Sequence, residues 1–272
     1  MSRKFLKGLL LTAMSTALIL TGCSSTETSS SGKQESHLDR IIANKKIRVA
    51  TYADVPGWSV LNAKGEYEGY DPDIARKLAE ALGVEVEFVT TDGVNRIPLV
   101  ESDKVDVAIS TFTPTNERAK SIDFTIPYAA AGIVPLYSKD KPIKNLDDLA
   151  GKKVSVARGS TSDLALQKYF PEAEIVRFDA VADAFMALKT GKVDVLLEED
   201  GIVYDLAKTN PELEAFSGDP FKPGYIAMGV QKGDQEWMNY LNNFIRNLNY
   251  SGDNNELYQK WFGKDLPKLQ TY

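Results

Sequence analysis

Short apolar runs alternate with amphipathic helical segments along most of this 272-residue chain. Residues 46–51 and 84–90 have the length and the apolar side chains of buried strands. Residues 71–82 carry apolar side chains at helical spacing, and Gly83 follows as a helix end. A new alternation begins at residues 154–157, after a polar stretch that contains Pro142. This order predicts an α/β fold, and the restart indicates a second domain.

The first residues have the pattern of a signal peptide. Three basic residues precede an apolar run at residues 8–20, which is shorter than the ~20 residues of a spanning helix. The L-T-G-C sequence at residues 20–23 resembles a lipobox, in which Cys23 is acylated and becomes the first mature residue. We therefore expect lipid anchoring at the outer face of the cell membrane. The alternative is a secreted protein in which this cysteine has no such role.

Composition excludes several kinds of site. Cys23 is the only cysteine, so an intrachain disulfide and a cysteine-only metal site are excluded. His37 is the only histidine and follows residues 24–36, a polar segment that predicts a flexible tether. The net charge is −6, and loss of the three basic residues in residues 1–22 would make it −9. Such a chain is a poor nucleic-acid binder. We expect no cofactor, no bound metal and a monomer.

A candidate carboxylate clamp follows the apolar run at residues 105–109. Three hydroxyl residues come next, at Ser110, Thr111 and Thr113. Thr115 can then cap a helical turn, with Arg118 three residues later. Backbone N–H groups at such a helix start face an anion, and an arginine adds a fork that matches a carboxylate. The alternative is a surface arginine that pairs with Glu117 or Asp123.

A second anion site is predicted after the strand at residues 154–157. Gly159 allows a ligand to approach the backbone, and Ser160 or Thr161 can cap the helix that follows. A simple capped helix is the alternative. Two such sites in one chain would suit a carboxylate held between two lobes.

Two aromatic residues and an arginine are candidate walls of the same cleft. Tyr52 and Trp58 follow the first strand, at the end where open α/β sheets bind ligands. Arg96 stands near the start of a short helix. The alternatives are core packing for the aromatic residues and a solvated charge for Arg96. Asp71, followed by proline, predicts the N-cap of a helix.

Three consecutive acids follow the apolar run at residues 193–197. They are Glu198, Glu199 and Asp200. Adjacent carboxylates at a strand end repel one another unless a cation binds between them. The alternative is that all three are solvated and cap the next helix.

Two ordered motifs make the chain resemble the family 3 extracellular solute-binding proteins, which are amino-acid receptors of bacterial ABC importers. One is G-Y-D-P-D-I-A at residues 69–75. The other runs from the hydroxyl-rich segment 111–113 through Arg118 to D-F-T-I-P-Y at residues 123–128. The resemblance covers residues 38–263. It implies a two-lobed α/β fold of the type II periplasmic-binding class, with two crossover strands and a ligand cleft that closes by a hinge.

The resemblance also implies roles for the candidate site residues. The α-carboxylate of an amino acid would bind at Arg118, Thr111, Thr113, Ser160 and Thr161. The family's ammonium-binding acid lies five residues after Asp194, which is Glu199 here. The family usually has aspartate there, so Asp200 could take the role instead. The side chain of the ligand would meet Arg96, Tyr52 and Trp58, and Arg96 favours aspartate or glutamate, then glutamine or cysteine.

The expected domains are a signal peptide (1–22), a lipidated tether (23–37), the first lobe (38–136), the second lobe (137–226) and a return to the first lobe (227–272). The expected function is capture of a polar amino acid and its delivery to a membrane ABC permease, without catalysis. Two alternatives are a cyclohexadienyl dehydratase-like enzyme, with Glu199 in proton transfer, and a sensor that presents its ligand to a membrane receptor.

Overall fold

A computed structural model describes residues 36–218 and 220–269. The helices among them are α1 (His37–Asn44), α2 (Tyr70–Leu82), α3 (Arg96–Glu101), α4 (Thr161–Tyr169), α5 (Val181–Lys189), α6 (Asp200–Thr209), α7 (Gln235–Ser251) and α8 (Asp253–Phe262). Two 3-10 helices lie at Arg118–Lys120 and Leu146–Leu149. The signal peptide, Cys23 and most of the expected tether lie outside the described residues.

The strands in this part of the chain are β1 (Lys46–Thr51), β2 (Asp54–Val55), β3 (Ser59–Leu61), β4 (Tyr67–Glu68), β5 (Glu85–Thr90), β6 (Val107–Ala108), β7 (Asp123–Ser138), β8 (Lys153–Ala157), β9 (Glu174–Phe178), β10 (Val195–Glu199), β11 (Leu213–Ala215) and β12 (Phe221–Val230). Strands β2, β3 and β4 form a small antiparallel sheet.

The main sheet has the order β5-β1-β6-β12-β7-β10-β8-β9, with β11 paired to β7. Strands β5, β1 and β6 pair in parallel at one end, and β10, β8 and β9 pair in parallel at the other. The antiparallel strands β12 and β7 connect these two ends. We call the parts around β1 and β8 the first and second lobes. The expected α/β fold with two connecting strands is confirmed.

Strand β7 reaches both lobes despite a proline near its start. Pro127 has no N–H to donate to the ladder, and the pairing of β7 with β12 is irregular nearby. Side chains supply the missing partners. Thr125 Oγ1 accepts from the N–H of Met228 at 3.0 Å, and Ile126 N–H donates to Asn242 Oδ1 at 2.9 Å. The strand therefore crosses the sheet without leaving these buried N–H groups unpaired.

The C-terminal helices pack against α2, β7 and the loop before β6. Trp237 of α7 is fully buried and donates from Nε1 to the carbonyl of Asp106 at 2.8 Å. Asn254 of α8 accepts from the hydroxyl of Tyr70 at 2.5 Å and donates to the carbonyl of Tyr128 at 2.8 Å. These contacts join the last helices to α2 and to β7.

The start of α2 differs from expectation, because Gly69 and not Asp71 is the N-cap residue. A Cβ at Gly69 would lie 2.2 Å from the carbonyl oxygen of Trp58, and the φ of Gly69 is +137°. Only glycine fits this close approach, so the helix begins at Tyr70. The carboxylate of Asp71 is thereby free to bind another segment, described below.

The last two residues of the expected tether belong to the fold. Ser36 is the N-cap of α1, and its hydroxyl lies 2.9 Å from Asp234 Oδ1. His37 donates its backbone N–H to Asp234 Oδ2 at 2.6 Å, and its Nε2 lies 3.2 Å from Asp103. The polar composition of this segment concealed its attachment to α7.

His37 also lies close to Asp103 and Asp106, with the possible ligand atoms within 4.8 Å of one another. Arg40 and Arg48 both pair with these two carboxylates, at 2.6–3.0 Å. The cluster is therefore held as an ion-pair network among the described residues. In the same part of the chain, no helix has both the length and the apolar character needed to cross a bilayer.

Candidate functional site

A small cavity lies where the carboxyl ends of β1 and β6 face those of β8 and β10. The volume of this cavity is about 20 Å³. Its lining residues are Tyr52, Val55, Arg96, Thr111, Ala157, Ser160, Thr161, Val181, Glu198, Glu199 and Ile202. The set combines residues of both lobes. Six residues expected at the site are among them: Tyr52, Arg96, Thr111, Ser160, Thr161 and Glu199.

Arg118 bridges the lobes at the edge of this cavity. Its Nη1 donates to the carbonyl of Thr113 at 2.7 Å and to Thr161 Oγ1 at 3.4 Å. Its Nη2 donates to the carbonyl of Gly159 at 2.9 Å. Burial, and next the charge of Arg96, lower the pKa of Arg118 to about 9, so the guanidinium remains charged at neutral pH. Thr113 contributes its carbonyl group and does not line the cavity.

The alternative of a surface arginine is wrong. Arg118 is 7% exposed. Glu117 pairs instead with Lys120 at 2.6 Å, and Asp123 accepts from the backbone N–H of Gly233 at 3.1 Å. Neither acid therefore neutralises the Arg118 guanidinium.

Arg96 lies over an aromatic ring that the sequence did not indicate. Its guanidinium carbon is 4.0 Å from the centre of the Phe112 ring and 5.6 Å from that of Tyr52. Nη1 donates to the carbonyl of Ser110 at 3.0 Å, whereas the buried Nε has no hydrogen-bond partner among the described residues. Phe112 also lies 5.3 Å from Arg118. One ring thus supports both cations of the site.

Asp71 fixes the loop that carries Thr111. Its Oδ2 accepts from the backbone N–H and the hydroxyl of Thr111 at 2.8 and 3.0 Å, and its Oδ1 accepts from the hydroxyl of Tyr128 at 2.7 Å. Thr111 has a positive φ of 49°, an uncommon conformation for threonine. Burial raises the pKa of Asp71 to about 6, against the lowering effect of these hydrogen bonds. The hydroxyl of Thr111 therefore binds Asp71 and stabilises the conformation of this loop.

The start of α4 supplies the anion-facing part of the second lobe. Ser160 is the N-cap, and its hydroxyl accepts from the N–H of Asp163 at 3.1 Å. Thr161 places its hydroxyl against Arg118. Ser160 therefore caps the helix and also lines the cavity, so the capped-helix alternative and the anion-site hypothesis are compatible. The cap binds one N–H group, and the other N–H groups of the first turn have no partner within the helix.

Two of the three consecutive acids face the cavity. Glu199 is 8% exposed, and its Oε2 has no partner among the described residues. Glu198 is 3% exposed, accepts the N–H of Glu199 at 3.2 Å and leaves Oε1 without a partner in the same part of the chain. Burial raises the pKa of Glu198 to about 7, and burial together with Glu198 raises the pKa of Glu199 well above its usual range. The alternative of three solvated acids is wrong.

Asp200 does not line the cavity. Its Oδ2 lies 3.3 Å from Lys264 Nζ, and its Oδ1 accepts from the N–H of Gly201 at 2.8 Å. Trp58 also lies elsewhere, packed on Tyr70 and Phe262 with ring centres 5.6 and 4.8 Å apart. Core packing is thus the better description of Trp58.

Tyr52 does line the cavity, and burial raises its pKa to about 12.

The lobes touch beside the cavity through two glycines. A Cβ at Gly93 would lie 2.5 Å from the carbonyl oxygen of Arg158, and one at Gly159 would lie 3.2 Å from the carbonyl oxygen of Gly93. Nearby, Asp54 Oδ2 accepts the N–H of Ala182 at the start of α5, at 3.2 Å. These contacts add backbone groups and one carboxylate to the bridge that Arg118 forms between the lobes.

Comparison with known sequences finds a match between residues 47–264 and the bacterial extracellular solute-binding proteins, family 3. The chain is 32% identical over 265 residues to the ABC transporter glutamine-binding protein GlnH of Bacillus subtilis (strain 168), covering 94% of this chain and 97% of that protein.

Two solved structures are also similar. The solute receptor for L-cysteine of Neisseria gonorrhoeae has a TM-score of 0.79 and 33% identity, covering 82% of this chain and 92% of that one. An ancestral amino acid-binding protein, AncCDT-1, described as a precursor of cyclohexadienyl dehydratase, has a TM-score of 0.79 and 35% identity, covering 84% and 100%.

Proposed function

The chain belongs to the bacterial extracellular solute-binding proteins of family 3, and we propose that it captures a polar amino acid and delivers it to an ABC permease. The similar GlnH of Bacillus subtilis is the glutamine-binding protein of an ABC transporter. The observation that carries the proposal for this chain is the placement of two buried cations and two buried acids around one cavity between the lobes. Opposite charges around one cavity suit a zwitterion.

In this account the α-carboxylate binds Arg118, the hydroxyl of Thr161 and the free N–H groups at the start of α4. Arg118 already donates to Thr113, Thr161 and Gly159, so its guanidinium is held in place before the ligand arrives. A preformed donor set lowers the ordering cost of binding.

The α-ammonium binds Glu199. Its buried Oε2 lacks a partner among the described residues, and an ammonium supplies three donors. Asp200 is the weaker candidate because it lies beside Lys264. Opposite charge within a few ångströms favours the ionised carboxyl, so ligand binding should release the proton that burial favours on Glu199.

The proposal extends to the ends of the chain. Acylation at Cys23, after removal of residues 1–22, would hold a monomer at the membrane beside its permease. Residues 38–136 and 227–272 would form the first lobe and residues 137–226 the second. Closure of the lobes would then be a hinge motion about β7 and β12.

The test of the clamp compares Arg118→Ala with Arg118→Lys, and with Arg158→Ala as the matched control. Arg158 lies outside the cavity lining and pairs with the exposed Asp179 at 2.9 Å. Arg118→Ala should weaken amino-acid binding by about 2–5 kcal/mol, the range for loss of one partner of a buried charge pair. Arg118→Lys should recover part of the lost binding free energy, and Arg158→Ala should bind amino acids like wild type. Wild-type affinity in Arg118→Ala would refute the clamp.

An enzymatic function is the second candidate, because Glu199 is a buried carboxyl group, and burial raises its pKa well above the usual range and so favours its protonated form. A protonated carboxyl group beside two guanidinium groups can transfer a proton to a bound anion. The likeness to a dehydratase precursor gives the reaction to test. Turnover of prephenate, lost in Glu199→Gln, would favour the dehydratase, whereas tight amino-acid binding without turnover would favour transport.

A further inference from the structure

The cavity contains two buried polar atoms that the amino-acid backbone of a ligand would leave without partners. They are Arg96 Nε, a donor, and Glu198 Oε1, an acceptor when ionised, and neither has a partner among the described residues. Arg96 is 2% exposed and Glu198 is 3% exposed. An unpaired buried polar group costs about 1–3 kcal/mol. Both residues line the same cavity, so a ligand bound there lies next to both.

Resting on the function proposed above, we infer that Glu198 and Arg96 together select a ligand with an uncharged carboxamide side chain. A primary carboxamide carries one acceptor oxygen and one NH₂ donor group on the same carbon. Its oxygen would accept from Arg96 Nε, and its NH₂ would donate to Glu198 Oε1. A single group thus pairs both atoms.

The charges of the site argue against an acidic side chain. Arg118 and Glu199 are matched by the α-carboxylate and the α-ammonium, which leaves Arg96 with Glu198 and with Asp71 behind Thr111. In its ionised form, in which Oε1 accepts a hydrogen bond, Glu198 would repel a ligand carboxylate in the low dielectric of the cavity. Arg96 alone indicates an acidic ligand, and it is Glu198 that reverses this conclusion.

A cationic side chain is disfavoured by Arg96. Its guanidinium is buried against Phe112 and, in this part of the structure, forms no ion pair with Glu198 or Glu199. A second cation would lie beside that charge and would offer no acceptor to Nε. The carboxamide satisfies both groups without adding charge.

The test measures affinities for L-glutamine, L-asparagine, L-glutamate, L-arginine and L-alanine in the wild-type protein and in Glu198→Gln. The substitution keeps an acceptor for the N–H of Glu199 and therefore turns an N–H donor toward the cavity. In this variant the new amide N–H and Arg96 Nε are both donors, which together match the side-chain carboxylate of glutamate. Exposed Glu172→Gln is the matched control.

We expect the wild-type protein to prefer a carboxamide ligand, and Glu198→Gln to lower the ratio of carboxamide to glutamate affinity by ~10-fold or more, the effect of mispairing a buried donor or acceptor. If Glu198→Gln does not fold, Glu198→Ala should lower glutamine affinity relative to alanine affinity.

Three other outcomes have separate meanings. A wild-type preference for glutamate or arginine would overturn the inference while the amino-acid function stands. A wild-type carboxamide preference that Glu198→Gln leaves unchanged would remove Glu198 from the selection. Absence of any amino-acid binding would refute the proposed function itself.

Discussion

Four buried ionisable side chains define the cleft, and their burial has a cost in stability. Arg96, Arg118, Glu198 and Glu199 are each less than a tenth exposed. Burial of a charge is unfavourable unless the group is paired or neutralised. The arginines are satisfied in part by carbonyl groups and aromatic faces, and the acids by uptake of protons. A ligand with both charges would relieve this cost, because it supplies the missing partners.

The pH dependence of the free energy of unfolding should show the raised pKa of Glu198. Glu198 has a pKa of about 7 in the fold against a usual 4.5, so between these values the folded protein binds more protons than the unfolded chain. Its free energy of unfolding therefore falls as pH rises through this window. Glutamine does not titrate, so the free energy of unfolding of Glu198→Gln should not fall for this reason. Relative to wild type, it should rise by up to about 3 kcal/mol between pH 4.5 and 7.5.

Denaturant unfolding at several pH values measures this difference, with Glu172→Gln as the exposed control that should show no trend. Titrating groups that do not interact with Glu198 cancel between variant and wild type, and the coupled Glu199 retains the effect of its own burial. A difference between Glu198→Gln and wild type that stays flat from pH 4.5 to 7.5 would contradict the raised pKa.

Single residues were predicted unevenly, for reasons of tertiary packing. Arg118 and Glu199 follow from spacing after a strand, and both are found at the cavity edge or lining. Trp58 and Asp200 follow from the same reasoning but turn toward Phe262 and Lys264, which are distant in sequence. Phe112 could be read only as another core aromatic residue, because nothing local indicates that two arginines lie against it.

At the scale of elements, regular strands and helices were predicted well and short ones were not. Strand β1 has the expected bounds, and α2 ends at Leu82 as Gly83 predicts. Strand β7 begins at Asp123, inside the D-F-T-I-P-Y motif, and side-chain hydrogen bonds compensate for the proline within it. Strands of two or three residues such as β2 are set by their partners and leave no periodic pattern.

The loop at Gly93 offers a test of lobe closure. The φ of Gly93 is compatible with alanine, yet its Cβ would lie 2.5 Å from the carbonyl oxygen of Arg158. Gly93→Ala should therefore oppose the approach of the lobes and weaken ligand binding by about 1–3 kcal/mol, the cost of overpacking. Gly224→Ala is the control, since its Cβ would meet Thr113 at an ordinary 3.4 Å.

Small-angle scattering with saturating ligand should give a larger radius of gyration for Gly93→Ala than for wild type or Gly224→Ala. Equal affinity and equal radius in all three proteins would show that this contact does not limit closure.

At the scale of the whole molecule, the sequence predicted the class of fold and the pairing of two lobes by two strands. These follow from the repeated strand–helix order and its restart near residue 154, together with the family motifs. The identity of the ligand side chain did not follow, because it depends on which charges share one cavity. Arg96 and Glu198 come from distant segments of the chain, and only the folded lobes bring them to one cavity.

The central claim is that this cleft binds one zwitterionic amino acid. The most direct measurement is calorimetric titration of the purified protein, unfolded and refolded to remove carried ligand, with a panel of amino acids. The account predicts one-to-one binding with a dissociation constant of about 1 μM or lower, and loss of that binding in Arg118→Ala. Absence of heat with every amino acid, in protein shown to be refolded, would contradict it.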